Sequence, residues 1–176
     1  VMASELHVDA IKHSGGTSAL TIDSSGNIHS PGLTLQTVSS TITAWTATQS
    51  TSLITTELEA TITPKFSSSK VLIRISINGC YTVNAATYLI FNLYKNDSNL
   101  HSFSTASGQA AANTATDTQY ALYCGHEFLD SPSTTSATKY TLYYRSSNGS
   151  DVGINNYGIG GNNSSRSTIT VQEVAQ

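Results

Sequence analysis

The sequence predicts an all-β fold, an antiparallel β-sandwich, on three observations. Charged residues supply only 11% of the chain, whereas β-branched residues and 9 tyrosines are frequent, a composition that suits a pleated, half-buried surface. Several segments alternate apolar and polar residues with a period of two. No segment carries apolar residues at helical spacing, and turn signals rich in Ser, Thr, Asn and Gly separate the alternating segments.

The clearest strand is Val71 to Asn78, with the sequence VLIRISIN. Val71, Ile73, Ile75 and Ile77 point to one side of it, so this strand should bury one face and expose the other. Further strands are predicted at Ala86–Asp97, Thr118–Asp130, Lys139–Ser147 and Ser167–Ala175, in the short stretch DVGINNY, and in the Thr-rich runs TLQTVSSTITAWTATQ and LITTELEATITP.

Turn chemistry connects these strands. The pair Asn148–Gly149 predicts a β-hairpin after the strand that ends at Ser147. The turn residues of KNDSN close the strand predicted at Ala86–Asp97. Upstream, TIDSSGNI predicts a small hairpin in which Ile22 and Ile28 flank the turn.

Apolar content divides the chain into two parts. Residues 1–40 are dense in turn residues and hold too few apolar side chains for a core, so we predict an N-terminal arm that becomes ordered by assembly and serves attachment and oligomerisation. Residues 41–176 hold nearly all the alternating strands and are predicted to form the sandwich head. The segment Tyr88 to Tyr94 is apolar on both faces, which favours a homotrimer that buries the second face.

Charge and hydropathy exclude several function classes. The net charge is −3 and the 8 Lys and Arg residues are scattered, so we predict no nucleic-acid partner. No apolar run approaches the ~18 residues of a membrane span, so we predict no membrane insertion. Cys80 and Cys124 lie in apolar strand patterns and are predicted to be buried free thiols, with a disulfide as the alternative.

Two pairs of titratable residues are candidates for an ion-binding or a catalytic site. His126 and Glu127 are adjacent on a strand and face opposite sides, so they do not share one ion, although a single His126 repeated around a trimer axis could bind one. Glu57 and Glu59 share a strand face at a spacing compatible with paired carboxylates, but this pattern is more typical of a solvent face.

Three acids in turns, Asp117, Asp130 and Asp151, could supply oxygens to a calcium ion. They are far apart in sequence and lack the spacing of a calcium loop, which favours solvated turn residues. No nucleophile–base motif is present. We therefore predict a protein that is not an enzyme, with no catalytic residue, no metal site and no cofactor.

Tyrosines near the chain's end offer a candidate binding surface. Tyr140, Tyr144 and Tyr157 are the residues that we assign to a candidate receptor surface, because tyrosine suits contacts in which one end stays wet. The alternative is half-buried packing within strands.

Three stretches, in this order, resemble bacteriophage fibre and appendage proteins, especially those of marine and cyanobacterial viruses. The first is SELHVDAIKHSGGTSALTIDSSGNI, an attachment segment followed by a hairpin. The second is TITPKFSSSKVLIRISING, the entry into a β-sandwich. The third is LDSPSTTSATKYTLYYR, followed by INNYG and SSRSTITVQEVAQ at the close of the module.

The resemblance implies a virion structural protein on the particle surface, assembled in the host cytoplasm. Its head would be a jelly roll similar to C1q and tumour-necrosis-factor domains, arranged as a homotrimer, and its arm would contact other virion proteins. The short chain favours a short fibre, a spike or a capsid-surface decoration. The alternatives are a receptor-binding head that recognises a host surface glycan through loops such as Ala106–Thr116 and Tyr157–Ser164, and a free-standing C1q-like binding protein.

Overall fold

The computed structural model describes residues 7–84, 87–103, 111–112, 122–155 and 165–176. Every regular element within these ranges is a β-strand, which confirms the predicted all-β class. The strands are β1 (Ala10–Lys12), β2 (Ser18–Ile22), β3 (Ile28–His29), β4 (Thr34–Ile42), β5 (Thr46–Thr48), β6 (Ile54–Ile62), β7 (Lys70–Thr82), β8 (Tyr88–Lys95), β9 (Ser98–Ser102), β10 (Ala111–Ala112), β11 (Leu122–Asp130), β12 (Thr138–Ser146), β13 (Val152–Ile154) and β14 (Ser167–Val174).

The strands form three antiparallel sheets. Strands β1, β2 and β3 make a small sheet at the N-terminal end of the described chain. The front sheet joins β10, β8, β12 and β6 in that order, and β9 also pairs with β8. The back sheet joins β4, β14, β7, β13 and β5, and β11 also pairs with β7. The front and back sheets enclose one apolar core, so the predicted antiparallel sandwich is confirmed.

The alternation predicted for β7 is confirmed. Val71, Ile73, Ile75 and Ile77 are all buried, whereas Arg74 on the other face is exposed. A period of two places every second side chain on the core face, which is why the pattern determined the buried set. The facing strands of the front sheet add Leu58, Phe91, Leu93 and Leu142 to the core, and β14, next to β7 in the back sheet, adds Ile169 and Val171.

The hairpin predicted in TIDSSGNI is present between β2 and β3. Ile22 and Ile28 are opposite each other in register. The Asp23 carboxylate accepts hydrogen bonds from the Asn27 side chain at 3.0 Å, the Asn27 backbone N–H at 2.8 Å and the Ser25 backbone N–H at 2.9 Å. These bonds, led by that from the Asn27 side chain, lower the pKa of Asp23.

The connection at Asn148–Gly149 differs from the prediction. It leads from β12 in the front sheet to β13 in the back sheet, so the predicted β-hairpin at this position is wrong. Gly149 does adopt the left-handed conformation expected of a turn glycine, with φ 86°, and its N–H donates to the Ser146 Oγ at 3.2 Å. The local turn chemistry is therefore as predicted, but the next strand pairs with β7 and β5 in the opposite layer.

The sandwich begins earlier in the chain than residue 41. Strand β4 pairs with β14 along its whole length, and Val38 packs against the core. Just before β4, the Gly32 N–H donates to the Ala175 carbonyl at 2.8 Å, and the Ala175 N–H donates to the Leu33 carbonyl at 2.9 Å. The predicted division between residues 40 and 41 thus falls inside β4, and the part outside the sandwich ends near residue 31.

One carboxylate, that of Glu173, is fully buried at the end of β14. Its Oε1 accepts the backbone N–H groups of Lys65 at 2.8 Å and Phe66 at 3.2 Å, and its Oε2 accepts the Gln36 side-chain amide at 2.6 Å. Buried charged groups are tolerated when hydrogen bonds replace their lost hydration. Glu173 therefore fastens β4 and the turn after β6 to the C-terminal strand.

Candidate functional site

The tyrosines assigned to a receptor surface lie in the core where the structure describes them. Tyr140 is 0% exposed and Tyr144 is 2% exposed, and burial raises the pKa of both phenols. The Tyr140 hydroxyl donates to the Asp130 carboxylate at 2.8 Å. These two side chains cannot contact a receptor, because they share the inward face of β12 with Leu142. Tyr157 lies outside the described residues.

The two described turn acids are each bound to partners within the chain. Asp130 is nearly buried and pairs with the Lys95 ammonium at 3.0 Å, in addition to its bond from Tyr140. Asp151 accepts a hydrogen bond from the Tyr81 hydroxyl at 3.1 Å. Asp117 lies outside the described residues. Within the described ranges, no group of three or more His, Cys, Asp or Glu side chains is placed to hold a metal ion.

Glu57 and Glu59 are both exposed on the outer face of the front sheet, as predicted from their spacing. The Glu59 carboxylate accepts the Thr141 hydroxyl at 3.3 Å and lies 3.8 Å from the Lys139 ammonium. Glu57 has φ 65° at the point where the register of β6 against β12 shifts. The bulge places two extra residues in β6 between its pairings with Tyr143 and Thr141, which preserves the period of two and leaves both carboxylates on the exposed face.

His126 and Glu127 face opposite sides of β11, as predicted. The Glu127 carboxylate is on the outer face, 2.9 Å from the Arg74 guanidinium. The His126 ring faces the interior of the sandwich, stacked on Phe103 at 4.2 Å between ring centroids and edge-on to Phe91 at 6.1 Å. Because the ring packs inside the sandwich, it does not suit the predicted alternative of an ion site around a trimer axis.

The buried His126 predicts a loss of stability in mild acid. Burial, and the charge of nearby His101, lower the pKa of His126 below its usual 6.5. Between the folded pKa and about 6.5 the unfolded chain binds more protons, so the free energy of unfolding should fall as the pH decreases through this window. Urea unfolding measured between about pH 5 and 8 should show this decline, and His126→Phe should flatten it. Equal pH slopes for the two proteins would contradict the assignment.

Cys80 and Cys124 are buried free thiols, as predicted. They lie on the neighbouring strands β7 and β11. Their hydrogen bond to each other, together with burial, raises the pKa of Cys80. The same hydrogen bond lowers the pKa of Cys124, with burial opposing it, so Cys80 is the thiol that keeps its proton.

A groove of about 400 Å³ crosses the outer face of the back sheet. Its floor is a row of residues in register across three strands, Gly125 on β11, Ser76 on β7 and Thr168 on β14. The next row, Glu127, Arg74 and Thr170, forms one wall. The depression exists because side chains on the floor are small or absent while those of the wall are larger.

The other wall of this groove is the exposed ring of Tyr123, which is 66% accessible to solvent. The ring leans over Gly125: a Cβ atom at that glycine would lie 3.0 Å from the Tyr123 hydroxyl oxygen and 3.3 Å from its Cε1. Glycine thus provides the space in which the ring rests against the sheet, with the remainder of the ring open to solvent. Tyr123 is not among the predicted site residues, although a glycine inside a strand, here Gly125, often marks a close approach.

The small sheet has a second exposed surface. Ile11 is opposite Leu20, and Ile22 is opposite Ile28, so these four aliphatic side chains share one face of the sheet. On the other face His29 contacts the Phe66 ring of the sandwich, with 4.9 Å between ring centroids. The aliphatic face is therefore turned away from the sandwich, and Ile11 and Ile28 are 54% and 42% exposed.

In the described part of the chain, no helix has the length and apolar character needed to cross a membrane. No protein-family model matches the chain. No curated protein matches it either. Among solved structures, a chain from the structure of infectious bursal disease virus Gt strain is similar at a TM-score of 0.40 and 15% identity, over 96% of this chain and 43% of that one. This chain thus spans less than half of the length of the viral one.

Proposed function

We propose that this chain is a structural protein of a bacteriophage particle, a homotrimeric short fibre, spike or surface decoration. The observation that carries the proposal is the aliphatic face of the small sheet, on which Ile11 and Ile28 are exposed beside the half-buried Leu20 and Ile22. A monomer would leave this face in water next to a sandwich that has its own core. The bacteriophage class and the number of three subunits rest on the sequence resemblance given above.

Burial of this aliphatic face would stabilise an assembly. Covering a Leu or Ile side chain completely contributes about 1.5–3 kcal/mol relative to leaving it exposed. Three strands with a hydrophobic face are the smallest sheet with independent stability, and that face contributes when it is removed from water. Identical copies around a rotation axis present identical aliphatic faces to one another, which makes a closed homo-oligomer the simplest cover.

The outer face of the front sheet supplies a second surface suited to subunit contact. On β8, Tyr88, Ile90 and Tyr94 point away from the core and are partly buried. Tyr94 stacks on Tyr143 of β12, with 3.9 Å between ring centroids. Aromatic side chains of this kind are enriched at the centres of protein interfaces. The role proposed for the protein is mechanical: the small sheet joins subunits and particle, and the sandwich forms the exposed head.

We expect native mass spectrometry to give a trimer at micromolar concentration. The double variant Ile11→Ser with Ile28→Ser should shift the population to monomers, because it removes the two most exposed aliphatic groups of the interface. Its melting temperature should be compared with that of Ile54→Ser. Ile54 is 36% exposed at the start of β6, so this control makes the same chemical change on the sandwich.

A monomeric wild type would contradict the trimer. A trimer that resists the double variant would place the interface on the sandwich instead. Attachment is tested separately, by supplying each variant to particles that lack the protein and measuring the occupancy. Normal occupancy of the double variant would contradict a role for the small sheet in attachment.

A further inference from the structure

The groove on the outer face of the back sheet has the composition of a sugar-binding surface. We propose that it binds a neutral saccharide, with Tyr123 as the stacking platform and the wall side chains as hydrogen-bonding groups. The proposal rests on the geometry of one subunit and holds whether or not the chain joins a particle. The small floor residues only provide the space; the ligand class follows from the side chains around it.

The Tyr123 ring supplies the apolar contact that a sugar needs. A pyranose ring has a face of C–H groups that packs against an aromatic ring, whereas its edge carries hydroxyls. Tyr123 is fixed close to the sheet by the absence of a side chain at Gly125, so little freedom is lost when a ligand covers it. Tyrosine combines a large apolar surface with a hydroxyl that can remain hydrated or bind the ligand.

The hydrogen-bonding groups extend from the groove across β14 to β4. The hydroxyls of Thr168 and Thr41 are 3.1 Å apart, and those of Thr170 and Ser39 are 3.0 Å apart. Each hydroxyl has one donor and two acceptor sites, so a hydroxyl pair retains capacity for a further partner. The two rows are two residues apart along β14, roughly 6.7 Å at the rise of a strand, so together they offer hydroxyls to different parts of a bound saccharide.

The charges at the groove favour a neutral ligand. The Arg74 Nε donates to Glu127 at 2.9 Å, and its Nη1 donates to the Gln172 side-chain oxygen at 3.1 Å. The single cation of the wall is therefore balanced by the neighbouring carboxylate. An acidic sugar would have to compete with Glu127 for Arg74, whereas a neutral sugar can use both groups as fixed donor and acceptor.

The test is saturation-transfer NMR on the full chain with trisaccharides of glucose, mannose, galactose and N-acetylglucosamine, and with polygalacturonate as the acidic probe. At least one neutral trisaccharide should bind with a dissociation constant of about 1 mM, a value typical of a shallow, solvent-open contact. Tyr123→Ala should weaken this binding at least tenfold, and Gly125→Val should do the same by displacing the ring. Trp45→Ala is the control, because Trp45 is an equally exposed aromatic residue, 60% accessible, away from the groove.

Three outcomes would overturn the proposal. The first is that none of the neutral trisaccharides binds at a concentration about ten times the expected dissociation constant. The second is that Tyr123→Ala, with an unchanged melting curve, binds as the wild type does or loses no more affinity than Trp45→Ala. The third is that polygalacturonate alone binds. The trimer measurement is independent of all three, so failure of the sugar site and failure of the structural role can be told apart.

Discussion

A fragment of residues 30–176 should fold into a stable sandwich, whereas a fragment of residues 41–176 should not. The longer fragment retains β4 and the backbone hydrogen bonds of Gly32 and Leu33 with Ala175. The shorter one lacks most of β4, so it loses the pairing along β14 and the apolar contact of Val38. Complete burial of a valine side chain contributes about 1.5–3 kcal/mol, and the partly buried Val38 contributes a share of this.

The shorter fragment also loses the Gln36 amide, one of the hydrogen-bond donors to the buried Glu173 carboxylate. A hydrogen bond to a charged group contributes about 1.5–3 kcal/mol, and a buried charge left short of partners costs more. These losses together approach the ~5–15 kcal/mol that holds a domain folded. Circular dichroism and thermal melting of the two fragments check the prediction. Equal melting temperatures would mean that β4 adds nothing to the sandwich.

Alternation along the chain predicts most of the core, including positions that residue type alone assigns to the surface. It assigned the inward face of β7 correctly because a strand's side-chain period is fixed. The same period places Tyr140 and Tyr144 with Leu142 on the inward face of β12, yet these tyrosines were interpreted by residue type as a surface. Glu173 likewise follows Ile169 and Val171 at a spacing of two, which indicated its burial.

Other features could not be obtained from local patterns. The pair Asn148–Gly149 specifies a turn, but the sheet that β13 joins depends on its long-range partners β5 and β7. The boundary of the sandwich has the same origin: the Thr-rich run predicted a strand at β4, but the place of that strand inside the sandwich follows from its pairing with β14 at the far end of the chain. The groove arises from the register between β11, β7 and β14. Gly125 in a strand was the one local signal for it.

The single substitution with the largest expected effect is Ile75→Asp, which should prevent folding. Ile75 is 3% exposed, lies in register with Ile169 on β14 and His126 on β11, and belongs to the central strand of the back sheet. A carboxylate at this position would be buried without a hydrogen-bonding partner of opposite charge, at a cost of several kcal/mol, in addition to the lost apolar burial. We expect the variant to be insoluble, or soluble without a cooperative melting transition.

Ile75→Val should lower the free energy of unfolding by only about 0.5–1.5 kcal/mol, because it removes one methylene group. Thr61→Asp places the same charge on the exposed face of β6, opposite Lys139, and should leave the melting curve unchanged. If Ile75→Asp melted like the wild type, the inward face of β7 would have been assigned incorrectly, and with it the whole register of the back sheet.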